Sequence, residues 1–450
     1  MGRLFGTDGA RGVANTELTC ELAMAIGRAA AEVLITAEGK RPKVLIGKDT
    51  RASGDMLEAA LTAGLCSVGA DVHLLGVLPT PAVAFLAKAY KSDAAIMISA
   101  SHNPCEYNGI KIFNGEGYKL SDKLEEEIEA IVLDNAVELP RPVGGDVGRV
   151  YFCEKAVDDY VNHLLTTMSV DLTGMHIAVD CANGSASVTA KKLFAALGVR
   201  CEFLSCDPDG VNINAGCGST CLEQLTNYVK KHHLDGGVAF DGDADRCLAV
   251  DENGNVIDGD QMIAAVAYDM KERGELRGNT AVVTVMSNLG FFRFCESAGI
   301  EVTSTKVGDR YVLEEMLKSD YVIGGEQSGH IILRQYATTG DGQLSAMHLL
   351  AVARRLGWKL SRVGGLMQRY PQVLLNVRAD AEQKAKYAAD AGVAKLIADT
   401  NAALDRDGRV LVRPSGTEPL IRVMVEGKEF EVINRAAMTI CDAIQELIGG

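Results

Sequence analysis

Gly237-Val238-Ala239-Phe240-Asp241-Gly242-Asp243-Ala244-Asp245-Arg246 is an apolar run that ends abruptly in three carboxylates at i, i+2 and i+4. Val238–Phe240 reads as a short buried strand, and Leu248–Val250 reads as the strand after the turn. Two other stretches have the same form: Ala95–Ile98 runs into Ser99–Pro104, and Tyr321–Gly324 runs into Glu326–His330. Each of the three is preceded by a similar series. First strands are read at Val44–Asp49, Ile177–Asp180 and Ala281–Val285, with helices predicted over 54–68, 185–197 and 289–298. Second strands follow at Val72–Leu75, Cys201–Leu204 and Ile300–Thr303. Short apolar runs alternating with amphipathic helices indicate parallel sheets covered on both faces. In such sheets ligands lie beyond the carboxyl ends of the strands. Three loops in equivalent places therefore predict one shared cleft rather than three sites.

After residue 370 the pattern changes to a helix over 380–399, strands at Val410–Arg413 and Ile421–Glu426, and a final helix over 430–447. The fold class expected is three successive α/β domains with mixed, mainly parallel sheets, plus a smaller C-terminal α+β domain. The division expected is 1–155, 156–255, 256–370 and 371–450.

Of the 450 residues, 47% are hydrophobic and 23% charged, the profile of a globular chain. No apolar run approaches the ~20 residues of a membrane span. Met1–Asp8 lacks the apolar core of a signal peptide, and Gly6 stands where a myristoylation motif needs Ser or Thr. The expectation is a cytoplasmic protein with no membrane partner. Twelve scattered cysteines without a C-x-x-C pair read as reduced thiols. Cys217, Cys221, His232 and His233 do not fit a zinc finger, because the two histidines are adjacent. A net charge of −15 argues against a nucleic-acid binder, and it requires any anionic substrate to be held by local cations.

The loops supply the chemistry. Asp241, Asp243 and Asp245 can converge on one hard cation through oxygen ligands, and packing like charges so densely is costly without one. Glu252 falls at the twelfth position of an EF-hand count, but Arg246 occupies the glycine position and the flanks are strands. In Ser99–Pro104, Ser101 is a candidate nucleophile beside His102 and Asn103. Alone, this loop reads first as a turn using Ser, Asn and Pro for backbone reasons. The absence of Gly-x-Ser-x-Gly disfavours a hydrolase, and a metal loop in the same cleft favours phosphoryl transfer. Glu326 and Ser328 pair an acceptor with a donor, suited to sugar hydroxyls or an amine, while alone this glycine-rich loop reads first as a tight turn. Arg413-Pro414-Ser415-Gly416-Thr417-Glu418-Pro419, with Arg422 beyond, reads as a phosphate cradle or a Pro/Gly hairpin. Arg11, between small residues in Gly6–Gly12, is consistent with reaching into a cleft, and a merely flexible N-terminal loop is the alternative.

Together these motifs resemble the α-D-phosphohexomutase superfamily over essentially the whole chain, and within it the bacterial branch acting on glucosamine phosphates. Phe5–Gly12, Lys306–Arg310 and Glu326–His330 carry the likeness to that branch. The resemblance implies four domains around a central cleft and a phosphorylated Ser101. It implies interconversion of glucosamine 6-phosphate and glucosamine 1-phosphate through a bound glucosamine 1,6-bisphosphate, which also serves as activator. The product would feed UDP-N-acetylglucosamine and cell-wall synthesis. One Mg²⁺ per chain would be held by Asp241, Asp243, Asp245 and a Ser101 oxygen, with Arg246 near the transferred phosphate. Arg11, Lys111 and His102 would assist at the reacting group, Glu326 and Ser328 would contact the sugar, and Arg413, Ser415, Gly416, Thr417 and Arg422 the non-reacting phosphate. Where related phosphomannomutases and phosphoglucomutases carry a His, this chain has Asp309, a carboxylate suited to an amine-bearing substrate. That departure leaves the general base unassigned. The partner expected is a small amino-sugar phosphate, and a homodimer is compatible. The alternatives are a phosphomannomutase or phosphoglucomutase, a non-catalytic sugar-phosphate sensor, and a Ca²⁺-binding structural module.

Overall fold

The computed structural model describes residues 3–6, 9–34, 41–415 and 418–449. The chain forms two compact units, one of Met1–Met286 with Gly299–Leu366 and one of Ser287–Ala298 with Met367–Gly450. No helix among the described residues is long and apolar enough to cross a membrane.

In the larger unit the three repeats share one sheet plan. The first repeat has strands Lys43–Lys48, Asp71–Val77, Ala94–Ile98 and Tyr107–Asn114. The second has His176–Asp180, Arg200–Leu204, Gly236–Phe240 and Cys247–Asp251. The third has Thr280–Thr284, Glu301–Thr305, Ile323–Gly325 and Ile331–Leu333. In every case the first strand is central, the second and third flank it in parallel, and the fourth pairs antiparallel with the third. The third strands Ala94–Ile98 and Gly236–Phe240 are buried along their whole length, because helices cover both faces. Each chemistry-bearing loop is therefore the connection from a buried parallel strand to its antiparallel return strand. The sequence predicts the three parallel strands of each repeat and, in the second, the return strand at Leu248–Val250; the return strands of the first and third repeats are additions. In the first repeat this strand carries Lys111 and lies between Ala94–Ile98 and Gly9–Val13, the strand that carries Arg11.

The smaller unit has an antiparallel sheet in which Leu420–Gly427 lies between Gln372–Arg378 and Gly408–Pro414. Gln372–Arg378 was not expected from the sequence. Phe430–Gly449 packs on the sheet through Ile433, Ala437, Ile440 and Ile444. Where the sequence predicts one helix over 380–399, two form, Ala381–Ala389 and Ala391–Leu404. Asp390 separates them: its backbone is extended (φ −83°, ψ 115°), and its carboxylate accepts from Val393 N at 2.7 Å to cap the second helix. The helix Leu289–Ala298, read with the third repeat, belongs to this unit. Glu426, fully buried, accepts from Leu289 N at 3.1 Å, Asn288 Nδ2 at 3.0 Å and Arg409 Nε at 2.5 Å.

Candidate active site

Ala94–Ile98 delivers Ser99 to the carboxyl edge of the first sheet. There the chain turns through Ser101, whose φ of 51° is left-handed. For a non-glycine residue that conformation costs about 1–2 kcal/mol. The surroundings hold it. Ser101 N donates to Ser99 Oγ at 2.9 Å. The buried Arg51 guanidinium donates to the carbonyls of Ser101 (3.0 Å), Asn103 (2.8 Å) and Pro104 (2.5 Å), and to Asp49 Oδ2 (3.0 Å). Asn214, from the second repeat, donates to the same Ser101 and Asn103 carbonyls at 2.9 and 3.1 Å. Arg51 and Asn214 were not foreseen. The one available signal was that Asp49-Thr50-Arg51 follows the first strand at its carboxyl end, where these sheets carry function.

Ser101 Oγ donates to Asp241 Oδ2 at 2.7 Å, across 140 positions of sequence. Asp241, Asp243 and Asp245 are buried, with one oxygen of each within 4.8 Å of the others. Lys111 Nζ sits among them, 2.6 Å from Asp243 Oδ2 and 3.6 Å from Asp245 Oδ2, and Thr80 Oγ1 donates to Asp243 at 2.5 Å. This placement divides the carboxylates. Burial, then repulsion from Asp245 and Asp243, pushes Asp241 well above the ordinary carboxylate range. Burial opposes ionisation of Asp243 too, but the Lys111 ammonium and the Thr80 hydroxyl outweigh it and hold the group low. Asp243 Oδ1 and Asp245 Oδ1 are buried and have no hydrogen-bond partner among the described residues. Hard oxygens, some unbonded, converging on one point beside the Ser101 hydroxyl fit a divalent cation such as Mg²⁺.

His102 Nδ1 lies 3.3 Å from Ser101 Oγ, and burial followed by Arg246 and Arg11 pushes its imidazole below the ordinary value. Arg11 Nη1 donates to Asn103 Oδ1 at 3.3 Å. Arg246 donates its backbone N–H to Asp241 Oδ1 at 3.1 Å. Thr7 and Asp8, in the loop ahead of Arg11, lie outside the described residues.

The third loop closes tightly: Glu326 N donates to His330 O and Gly329 N to Glu326 O, both at 3.0 Å. At Gly329 (φ 93°) a Cβ would stand 2.3 Å from Cys247 O, so only glycine fits. Ser328 is exposed, and Glu326 accepts from Gly308 N at 3.2 Å. Asp309 pairs with Lys119 of the first repeat at 2.6 Å and lies 3.5 Å from His330 Nε2. His330, 3.9 Å from Asp245, connects the Glu326–His330 and Asp241–Arg246 loops; the sequence placed it in a motif but gave it no role. Ser101, His102, Lys111, Asp241, Asp243, Asp245, Arg246, Arg11 and Asp309 are thus joined by direct contacts or one intermediary.

In the smaller unit Arg413 and Arg422 stand directly opposite in the sheet. Burial, then Arg422, lowers the Arg413 pKa. Ser415 Oγ accepts from Glu418 N at 3.2 Å, and Lys384 Nζ donates to the Ser415 and Glu418 carbonyls at 2.7 and 2.6 Å. Arg422 itself pairs with Glu418. Gly416 and Thr417 lie outside the described residues.

Phosphoglucomutase/phosphomannomutase family profiles match four successive segments: alpha/beta/alpha domain I over residues 2–138, domain II over 158–254, domain III over 258–370 and the C-terminal domain over 374–443. The phosphoglucosamine mutase of Acetivibrio thermocellus is 53% identical over 449 residues, 100% of both chains. That of Clostridium novyi is 52% identical over 99% of each. A phosphoglucomutase/phosphomannomutase family protein of Burkholderia thailandensis shares the fold with a TM-score of 0.83, at 24% identity over 99% of this chain and 97% of its own. N-acetylphosphoglucosamine mutase of Aspergillus fumigatus, solved with GlcNAc-6P and magnesium, shares it with a TM-score of 0.62, at 17% identity over 94% of this chain and 99% of its own. Repeated sheets, a serine hydrogen-bonded to a carboxylate triad, and full-length identity above half all converge, and the chain belongs to the phosphoglucomutase/phosphomannomutase family, the α-D-phosphohexomutases, alongside the bacterial phosphoglucosamine mutases.

Proposed function

We propose that this mutase interconverts glucosamine 6-phosphate and glucosamine 1-phosphate by passing a phosphoryl group through Ser101, with glucosamine 1,6-bisphosphate as the bound intermediate. The observation that carries the reading is the Ser101 Oγ–Asp241 contact of 2.7 Å inside the buried triad. Asp241, Asp243, Asp245 and a Ser101 oxygen would hold one Mg²⁺. Bound there, it would neutralise charge on the phosphoryl group, which at about −2 is untenable beside three carboxylates.

The other residues have separate tasks. Arg51 and Asn214 hold the Ser101 carbonyl and so aim the side chain. Lys111 keeps Asp243 ionised and brings a cation to the reacting side of the loop. His102, neutral near pH 7, offers an acceptor 3.3 Å from Ser101 Oγ as the phosphoryl group departs and returns. Arg11 and Arg246 line the same place with positive charge. Glu326 and Ser328 would read the sugar, and Arg413, Ser415, Gly416, Thr417 and Arg422 the phosphate that does not react. The bisphosphate must turn over between half-reactions, which requires a cationic seat for each of its phosphates. The product is the precursor type that amino-sugar nucleotide synthesis consumes, in keeping with the names of the bacterial relatives.

The test is intact-mass measurement before and after incubation with a hexose 1,6-bisphosphate. A gain of one phosphate that maps to Ser101, absent in Ser101→Ala along with turnover, is expected. A Ser101→Ala protein that keeps full turnover would overturn the phosphoenzyme. Turnover of glucosamine 6-phosphate no faster than that of glucose or mannose phosphates would overturn the substrate.

A further inference from the structure

We propose that Tyr160 is a positioning residue for the Asp241–Arg246 loop: its hydroxyl, acting through Asp341, fixes the turn that gives the loop its shape. The loop needs such a support. Ala244, between Asp243 and Asp245, is buried and left-handed at φ 54°, and its backbone sets the angle at which those two carboxylates leave the chain. An alanine keeps that conformation only where its surroundings impose it. Amides from three neighbouring segments grip the loop's carbonyls. Ser185 N donates to Gly242 O at 2.8 Å, Thr80 N to Asp243 O at 2.9 Å and Gly342 N to Ala244 O at 3.0 Å. The last of these holds the left-handed residue itself.

Gly342 opens the helix Gly342–Leu356, and a Cβ there would stand 2.3 Å from Arg246 O, so the turn lies directly against the carboxylate loop. Two residues earlier, a Cβ at Gly340 would come within 2.5 Å of His330 Nε2, so the same turn also lies against the Glu326–His330 loop. Gly340-Asp341-Gly342 is therefore wedged between two of the loops that carry the chemistry. The chain reaches this wedge from the strand Ile331–Leu333 through residues that form neither helix nor strand. Its place is set by what its side chains and carbonyls meet.

Asp341 is the anchor. Its N–H donates to Ile331 O at 3.2 Å, and its carboxylate caps the helix by accepting from Leu344 N at 3.0 Å. A buried carboxylate is costly unless donors surround it. Tyr160, fully buried on the helix Ala156–Thr166 of the second repeat, donates to both Asp341 oxygens, at 3.0 Å to Oδ1 and 2.9 Å to Oδ2. A hydroxyl shared between the two oxygens fixes the rotation of the carboxylate as well as its place. One turn further along the same helix face, His163 Nε2 lies 2.9 Å from Tyr336 O, so this face holds the approach to the wedge at two points. The line of support runs from the Tyr160 hydroxyl to the Asp341 carboxylate, then from Gly342 N to Ala244 O, with Asp243 and Asp245 on either side of its end.

The test compares the full-length parent with Tyr160→Phe, Asp341→Ser and the double variant. Phenylalanine keeps the ring and removes only the donor; serine keeps a helix cap but is too short to reach Tyr160. Amide exchange followed by mass, with neither metal nor substrate present, should be several-fold faster in Tyr160→Phe at residues 241–246 and 340–344, and unchanged in the sheet of the first repeat. Calorimetric titration with Mg²⁺ alone should give a several-fold higher dissociation constant in each single variant, and no higher in the double variant than in Asp341→Ser. Parental exchange in those two segments, or exchange quickened evenly along the chain, would overturn the proposal. So would a parental Mg²⁺ constant in either single variant, or a double variant weaker than Asp341→Ser by the whole factor of Tyr160→Phe. If Tyr160→Phe does not fold, Asp341→Ser decides by the same two readings. The Mg²⁺ arm rests on the triad as the seat of the cation. A parent that binds no Mg²⁺ would overturn that reading, while amide exchange would still decide the role of Tyr160.

Discussion

Ser101 occupies a backbone region that serine seldom adopts, and its neighbours have to keep it there. Most of that work falls to Arg51, which feeds three loop carbonyls and the buried Asp49 from one guanidinium. Arg51→Met would leave Asp49 buried without a counter-charge; breaking such a pair costs about 3–5 kcal/mol. A fall of that order in the unfolding free energy from urea titration is expected, with Ser101 phosphorylation falling further than in Arg51→Lys, which keeps the charge and loses the fork. Lys111 is the cation buried among the triad. Lys111→Met should therefore cost turnover and at the same time enlarge the gain in thermal midpoint on adding Mg²⁺. An equal gain in variant and parent would contradict the role given to Lys111.

At the scale of elements, the helix Gly342–Leu356 buries His348, whose imidazole burial, then Arg355 and Arg273, hold down to about 4. A depressed histidine stays neutral in the folded chain while the unfolded chain takes up a proton, so stability is lost as pH falls below about 6.5. Between pH 7 and pH 5 this one group should cost about 2 kcal/mol. His348→Gln should show a shallower fall in urea midpoint over that interval, and an unchanged slope would refute the assignment. The parallel strands and their loops were legible in the sequence because buried strands form short apolar runs and the loops interrupt them with unusual polar residues. The return strand Tyr107–Asn114 was not, since a strand covered on both faces looks the same whether it runs parallel or antiparallel. The break at Asp390 was hidden by alanines on either side, which read as one helix. Arg51 and Asn214 act on backbone carbonyls, which leave no trace in the partner's residue type. The convergence of Ser101, Asp241, Asp243 and Asp245 was legible because polar side chains of that kind interrupt apolar strands at equivalent places in the repeats.

For the whole molecule, a cation that binds only the folded triad must stabilise it. At about 100 times its dissociation constant Mg²⁺ should add about 2.7 kcal/mol, and chelation should remove that gain together with turnover. A thermal midpoint indifferent to Mg²⁺ would rule out the carboxylate triad as its seat. The smaller unit is discontinuous, built from Ser287–Ala298 and Met367–Gly450. A fragment of residues 367–450 would present Glu426 without Leu289 N and Asn288, and is expected to melt without cooperativity; a sharp transition would show that the inserted helix is dispensable. Each loop's two ends are fixed by its own strand pair, as Gly325 opposite Ile331 and Glu326 N on His330 O fix the third. Loops anchored this way are interchangeable cassettes: the Glu326–His330 segment of a relative can be transplanted without rebuilding the sheet, so that under the proposed role of this loop sugar preference and phosphoryl chemistry would be free to diverge separately.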